Sequence, residues 1–250
     1  MQILIDGLKI NYQVFGEGKP FLILHGWGSN IDRWEKISDK IADGGYKVVT
    51  VDMPGFGKSD VPEVAWGFDD YIAWIEKFTA TLPGFEKDFY LLGHSFGGTL
   101  SIIYAVKHPE KIRKLFLVSS AGIRKKTFKK TILADIAGFT KNFKNIPLYG
   151  VARKAFYKYF VGRTDYLTVK ESMKDTYLKI IQKDFSALIP KIIVPTIIIW
   201  GDKDNITMVE DAYYMENVIN GAKLIIIPGA GHDLNIRNSE SVAKEVLNNI

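Results

Sequence analysis

The chain contains no cysteine among its 250 residues, which excludes disulfides, thiolate nucleophiles and cysteine-based zinc sites. No apolar run approaches the roughly 20 residues that a membrane-spanning helix needs. The first residues have neither a basic start nor a cleavable apolar segment, so we expect no signal peptide and a cytoplasmic location. No Gly-x-x-x-x-Gly-Lys-Ser/Thr phosphate loop is present either, since Gly55-Phe56-Gly57-Lys58 has the wrong spacing.

Positive charge is concentrated in one part of the chain. Residues 121–190 hold 15 Lys and Arg against 5 Asp and Glu, whereas the rest of the chain carries a net charge of −5. Two interpretations of this basic segment are open. It is either a solvated lysine-rich surface, or a region that attracts anionic substrates or an anionic surface. In a helix over residues 151–160, aromatic residues would face one side and basic residues the other. Such an arrangement suits binding to an anionic surface. We expect a small-molecule substrate, no nucleic-acid partner and no stable membrane association.

Short, continuously apolar runs alternate with helical stripes over most of the chain. Continuous apolarity is typical of strands buried on both faces, as in a parallel sheet. The helical stripes include Ile31, Trp34, Ile37 and Ile41. The alternation predicts an α/β fold with a mostly parallel sheet and helices on both faces. Strands are predicted at Lys9–Phe15, Pro20–Leu24, Tyr46–Val51, Phe89–Leu92, Leu115–Val118, Thr196–Trp200 and Leu224–Ile227.

The alternation stops at Ala121. From there to Pro190 the sequence has only helical stripes, such as Ile132, Ile136, Phe139 and Phe143, then Met173, Tyr177 and Ile180. About 70 residues are too many for one ordinary crossover connection. We therefore predict a core formed by residues 1–120 and 191–250, with residues 121–190 inserted as a helical lid.

A candidate nucleophile lies in Gly93-His94-Ser95-Phe96-Gly97, between the apolar run Phe89–Leu92 and a helical pattern. A serine between two glycines at a strand-to-helix junction is typical of a sharp, strained turn that exposes the hydroxyl. Ser95 is the predicted nucleophile. The backbone N–H of the next residue, Phe96, would help to bind a developing oxyanion.

The chain has only four histidines, so a general base can be sought by elimination. His108 precedes a proline at a helix end, His94 should point away from the turn, and His25 should brace the loop after its strand. His232 remains, in a loop after the last strand, where open α/β sheets place their sites. It is the predicted base.

Two loops supply the remaining groups. Asp202 and Asp204 both follow the strand Thr196–Trp200, and either carboxylate could orient the base or simply be a solvated turn residue. His25-Gly26-Trp27-Gly28 follows a buried strand about 70 residues before the serine, and the backbone N–H of Trp27 is the predicted second oxyanion donor.

Together these segments resemble the α/β-hydrolase family, and within it the small members with a helical lid, such as carboxylesterases and C–C bond hydrolases. The resemblance implies that Asp204, three residues past Gly201, is the catalytic acid, and that Asp52 has a structural role. It also implies no cofactor and no metal. The motifs that carry it are His25–Gly28, Asp52–Ser59, Gly93–Gly97, Gly201–Asp204 and Gly231-His232.

The sequence therefore predicts a serine hydrolase that cleaves a carboxylic ester or similar acyl substrate, with an apolar acyl group and possible anionic character. Relatives that carry aspartate at the nucleophile position, such as haloalkane dehalogenases and epoxide hydrolases, are excluded by Ser95. A C–C bond hydrolase with the same triad and a non-catalytic ligand-binding member of the fold stay open as alternatives.

Overall fold

The computed structural model describes residues 1–124 and 171–250. Within this part of the chain, eight strands form one sheet in the order β1-β2-β4-β3-β5-β6-β7-β8. The pairs β1/β2 and β2/β4 are antiparallel, and the remaining neighbours are parallel. The strands are β1 Gln2–Ile5, β2 Leu8–Phe15, β3 Lys19–Leu24, β4 Tyr46–Val51, β5 Phe89–His94, β6 Ile112–Val118, β7 Thr196–Gly201 and β8 Lys223–Ile227.

The mostly parallel α/β fold is confirmed, and every predicted strand is present with ends that differ by a few residues at most. The central strands are buried because both faces of the sheet are covered. Strand β1 was not predicted. It pairs with β2 through a two-residue turn, Asp6-Gly7, in which both residues have positive φ, 48° and 81°. An Asp-Gly pair is a strong hairpin signal, so the sequence did carry this information.

Helices cover both faces of the sheet and create two apolar cores. Buried residues of α2, α3, α4 and α5 belong to one core, and those of α1, α6 and α7 belong to the other. Helices α1, α3 and α5 pack their apolar stripes directly on strands β4, β5 and β7. The helices are α1 Glu35–Asp43, α2 Phe68–Ala80, α3 Phe96–Lys107, α4 Glu171–Ile181, α5 Val209–Val218, α6 Leu234–Arg237 and α7 Ser239–Asn248.

Most of the predicted lid lies outside the described residues, including the stripe from Ile132 to Phe143 and the amphipathic segment 151–160. Its last part forms α4, which contains the predicted stripe. Met173 and Ile180 are buried, and Trp66 donates its backbone N–H to Thr176 Oγ1 at 2.8 Å. Helix α4 is therefore docked on the loop between β4 and α2. No helix in the described ranges is long and apolar enough to cross a membrane.

Candidate active site

Ser95 lies on the sharp turn between β5 and α3. Its backbone has φ 52° and ψ −114°, a conformation that non-glycine residues rarely adopt. The strain costs on the order of 1–3 kcal/mol and persists only where the surrounding structure imposes it. Here the backbone N–H of Ser95 donates to Val118 O at 3.2 Å, and Ser95 O accepts from Thr99 and Ala121. The turn is thus fixed from both sides, as the predicted nucleophile position requires.

The glycines that flank the serine allow the chain to pack this closely. A Cβ at Gly93 would collide with the Ser101 hydroxyl and the Gly97 carbonyl, and a Cβ at Gly97 would collide with the carbonyls of Leu24 and His25. Strand β3 and helix α3 therefore approach each other at backbone distance beneath the turn. A side chain at Gly97 would push α3 away from the end of β3, and one at Gly93 would push β5 away from α3.

The structure brings the three predicted catalytic side chains together. His232 Nε2 lies 3.0 Å from Ser95 Oγ, and His232 Nδ1 lies 2.8 Å from Asp204 Oδ2. The Asp204 side chain is fully buried, whereas 17% of the His232 side chain is exposed. A carboxylate at Nδ1 favours the tautomer that leaves Nε2 free to accept the serine proton. The arrangement is competent to pass a proton between a serine hydroxyl and a bound substrate.

The Asp204 carboxylate is held by its own loop. Oδ1 accepts the backbone N–H groups of Ile206 and Thr207 at 2.9 and 3.0 Å. Burial alone would raise the pKa of the Asp204 carboxyl. The hydrogen bond and charge of His232, together with the Ile206 N–H, outweigh burial and hold that pKa below its ordinary value. Asp204 is therefore ionised at neutral pH.

Asp202, the other candidate acid, has a different role. It is exposed, and its Oδ1 accepts the backbone N–H of Gly229 at 2.6 Å. This contact ties the turn after β7 to the turn after β8 and leaves the carboxylate in solvent. The structure thus places Asp204, and not Asp202, against His232.

The predicted oxyanion donors lie on adjacent backbone segments. Phe96 is the first residue of α3, so its N–H has no acceptor within the helix. A Cβ built on Gly26 would lie 3.3 Å from Ser95 Cβ, which places the backbone before Trp27 directly beside Ser95. The rings of Trp27 and Phe96 are in edge contact at 5.5 Å. The backbone N–H groups of Phe96 and Trp27 therefore both lie near Ser95, and the two aromatic rings pack beside them.

The buried histidine and aspartate of the neighbouring loops have structural contacts, as the sequence predicts. His25 Nε2 accepts the Met53 N–H at 3.1 Å, and burial lowers the pKa of the His25 ring. Asp52 accepts hydrogen bonds from the Ile31 and Lys58 backbone N–H groups and from the Asn11 side chain. These contacts hold together the loops that follow β3 and β4.

His108 is less solvated than its sequence position predicts. Only 29% of its side chain is exposed, and its Nε2 lies 2.7 Å from Glu76 Oε1 on helix α2. It is far along α3 from Ser95 and pairs the ends of two helices. Among the residues that the structure describes, no group of three His, Asp or Glu side chains is placed to hold a metal ion.

One polar residue in the site was not found from the sequence. The Thr207 hydroxyl lies 2.9 Å from Asp204 Oδ2 and 3.2 Å from His232 Nδ1. The only local signal is its position three residues after an aspartate in a turn, a spacing that often brings a hydroxyl to a carboxylate. That signal is too common to have selected Thr207 in advance.

The chain matches the α/β-hydrolase fold family over residues 19–160 and 167–239. It is 29% identical to Lipase 3 of Moraxella sp. (strain TA144), over 86% of this chain and 72% of the lipase. It is 26% identical to 2-hydroxy-6-oxo-6-(2'-aminophenyl)hexa-2,4-dienoic acid hydrolase of Metapseudomonas resinovorans, over 96% and 87% of the two chains. The solved structure of an esterase from Exiguobacterium antarcticum has a TM-score of 0.77 at 23% identity and covers 98% of this chain and 96% of that one. Since the family match spans most of the chain, the protein belongs to the α/β-hydrolase family of enzymes.

Proposed function

We propose that this hydrolase cleaves carboxylic esters or similar acyl substrates through a covalent acyl-enzyme on Ser95. The observation that carries the proposal is the continuous hydrogen-bonded chain from Asp204 through His232 to Ser95, at 2.8 and 3.0 Å, ending on a strained turn whose serine is partly exposed. A serine hydroxyl becomes an effective nucleophile when a base removes its proton and an acid orients that base.

The reaction proceeds in two halves. Ser95 Oγ attacks the carbonyl carbon while its proton passes to His232 Nε2, and Asp204 stabilises the resulting imidazolium. The N–H groups of Phe96 and Trp27 bind the oxyanion. The carbon–oxygen bond then breaks as His232 gives its proton to the leaving alkoxide. Water repeats the sequence against the acyl-enzyme, with the same base, and releases the carboxylic acid and free Ser95.

The proposed domain organisation follows from the same site. Residues 1–120 and 191–250 would supply the triad and the oxyanion donors, and residues 121–190 would form a lid that selects the substrate. Helix α4 supports this, because Tyr177 packs on Trp27 with ring centroids 5.3 Å apart. Part of the proposed lid therefore lies against an oxyanion residue.

We propose an apolar acyl group for the substrate. Rings of Trp27, Phe56 and Phe96 are in edge contact beside the nucleophile, at 4.8 and 5.5 Å. The segment 121–190 adds 11 Phe and Tyr residues, and aromatic side chains bury much surface with few torsions to fix. Its positive charge supports a preference for anionic substrates. That preference predicts that kcat/KM for a carboxylate-bearing ester falls as salt rises to about 0.5 M, whereas a neutral ester is unaffected.

A C–C bond hydrolase is the second candidate. The similarity to the dienoic acid hydrolase of Metapseudomonas resinovorans over almost the whole chain favours it, and it would use the same three side chains. A non-catalytic binding protein would have no need of a hydrogen-bonded triad and a strained serine, so the geometry weighs against that alternative.

A fluorophosphonate probe tests the nucleophile directly. Wild-type protein should be labelled, and Ser95→Ala should not. Ser38→Ala is the matched control, because Ser38 is a buried serine on α1 that pairs with Thr50 at 2.8 Å. A panel of p-nitrophenyl esters of graded length, set against a ring-cleavage dienoate, then separates ester from C–C cleavage. Labelling that survives in Ser95→Ala would overturn the assignment.

A further inference from the structure

A single buried hydroxyl, that of Thr207, lies at the junction of three elements of the site. Thr207 Oγ1 is 2.9 Å from Asp204 Oδ2, 3.2 Å from His232 Nδ1 and 3.1 Å from the backbone carbonyl of Ser119. Only 7% of the residue is exposed. Ser119 follows β6, Asp204 follows β7 and His232 follows β8, so this one atom contacts the ends of three neighbouring strands.

The backbone of Thr207 is fixed independently of its hydroxyl. Its N–H donates to Asp204 Oδ1 at 3.0 Å, and its carbonyl accepts the indole N–H of Trp200 at 2.8 Å. Trp200 is itself fully buried in β7. The hydroxyl is therefore presented to the triad by a rigid turn, without depending on a mobile side chain.

Proton counting limits what this hydroxyl can do. A threonine hydroxyl has one proton to donate and lone pairs to accept with. The carboxylate of Asp204 and the carbonyl of Ser119 can only accept, and His232 Nδ1 donates whenever Asp204 orients the ring. The hydroxyl thus gives its proton to one of two acceptors, and the charge on Asp204 Oδ2 makes the carboxylate the stronger of them.

We infer that Thr207 is a positioning residue of the proposed triad, which fixes Asp204 Oδ2 toward His232 and takes up part of its negative charge. The inference rests on the proposed function. With Oδ1 held by two backbone N–H groups and Oδ2 held by the hydroxyl, the carboxylate is fixed in rotation. A donor on Oδ2 also shares the negative charge that the carboxylate presents to His232 Nδ1.

Thr207→Val tests this, because valine keeps the shape of threonine and removes only the hydroxyl. We expect kcat to fall about tenfold with KM unchanged, as for the loss of about 1.4 kcal/mol of transition-state stabilisation. Thr207→Ser restores the hydroxyl and should restore kcat.

Thr196→Val is the matched control. Thr196 is also buried, at 2% exposure, and its hydroxyl also bonds to a backbone carbonyl, that of Val194 at 2.9 Å. It lies at the opposite end of β7 from Asp204, so its loss should lower Tm without lowering kcat. A Thr207→Val enzyme with the wild-type kcat, or a Thr207→Ser enzyme as slow as Thr207→Val, would overturn the inference. If the valine variant does not fold, Thr207→Ala replaces it.

A second readout separates this inference from the proposed ester hydrolysis. The proton on His232 Nδ1 should give a low-field NMR signal in the substrate-free protein, whatever the substrate is. In wild type this proton lies near both Asp204 Oδ2 and Thr207 Oγ1. In Thr207→Val it bonds to the carboxylate alone and the signal should move further downfield. An unchanged signal would count against Thr207 even if no ester proves to be a substrate.

Discussion

His94 donates its Nε2–H to the backbone carbonyl of His232 at 3.0 Å, and the two imidazole rings lie 4.9 Å apart. His94 is buried, and its ring also packs on the ring of Trp34 at 5.6 Å. Burial and then the nearby His232 lower the pKa of His94 to about 3. His94 therefore stays neutral beside His232 and holds the main chain of the loop that carries His232.

This neutrality makes the fold sensitive to acid. Because the folded-state pKa of His94 lies below the ordinary 6.5, its contribution to stability is complete above pH 6.5 and is lost as pH falls toward 3. At pH 4 the loss should be about 3 kcal/mol. We expect the Tm of His94→Gln, which keeps an N–H donor, to fall less than that of wild type between pH 7 and 4.

Part of the acid sensitivity should persist in that variant, because burial also lowers the pKa of His25. His108→Gln is the control, since the His108 side chain is partly exposed and pairs with Glu76. Its thermal melts should follow wild type more closely across the same range. Identical acid responses in wild type and His94→Gln would contradict the buried, neutral state of His94.

Asp204→Asn should lower kcat by roughly 10² to 10⁴, because an amide can hold His232 in the wrong tautomer. Asp202→Asn is the matched control. It lies two residues away, faces solvent and contacts only the loop after β8 through the Gly229 N–H. Steady-state kinetics with one p-nitrophenyl ester suffice for both. A crippled Asp202→Asn beside a near-normal Asp204→Asn would reverse the assignment.

Gly97→Ala should destabilise the protein severely, although alanine favours a helix over glycine by about 0.5–1 kcal/mol at ordinary positions. The new methyl group would collide with the carbonyls of Leu24 and His25. The backbone at Leu24 and His25 cannot move away from this methyl group without distorting the end of β3. We expect Tm to fall by roughly 10 °C or more.

Gly67→Ala serves as its comparison, because a Cβ there would meet only Asp70, at 3.8 Å. Gly67 precedes α2, where alanine costs about 1 kcal/mol as a helix cap. Thermal melts that rank Gly67→Ala below Gly97→Ala in stability would refute the close approach of α3 to β3.

Asp52→Asn should lower the free energy of unfolding by about 1–3 kcal/mol, because one acceptor oxygen is replaced by a donor that faces other donors. Asp52 is buried, and its carboxylate accepts from Ile31, Lys58 and Asn11. Chemical denaturation measures this cost. Covalent labelling of Ser95 by a fluorophosphonate should persist under native conditions. Loss of labelling in a folded Asp52→Asn protein would assign Asp52 a role beyond structure.

The parts of this molecule that follow from local sequence were predictable. Buried strands such as Tyr46–Val51 have continuous apolar runs, and Ser95 lies in a motif whose glycines are demanded by close packing. The α/β fold was therefore accessible from periodicity, and the candidates Ser95 and His232 from the motif and from elimination among four histidines.

Relations between distant segments were not accessible in the same way. Thr207 meets Ser119 across 88 residues of chain, and nothing in either neighbourhood marks the pair. Likewise, Asp202 and Asp204 have the same residue type in one turn, and only the geometry of the loop decides which faces His232. Strand β1, which was not predicted, differs from these long-range contacts, because the local Asp6-Gly7 turn indicates a hairpin there.

The two ends of the long connection after β6 meet at the surface of the core. Gly122 accepts the Phe185 N–H at 2.7 Å, and the Arg124 N–H donates to Asp184 at 3.2 Å. Each doubling of the length of a loop closed in this way costs only about 0.6 kcal/mol. Segments of different length can therefore be exchanged between residue 124 and the start of α4 at residue 171 at a small cost in loop-closure entropy, whereas α4 itself contributes Met173 and Ile180 to the core. For protein engineering, this makes residues 124 and 171 natural junctions for grafting foreign segments in search of new substrate preferences.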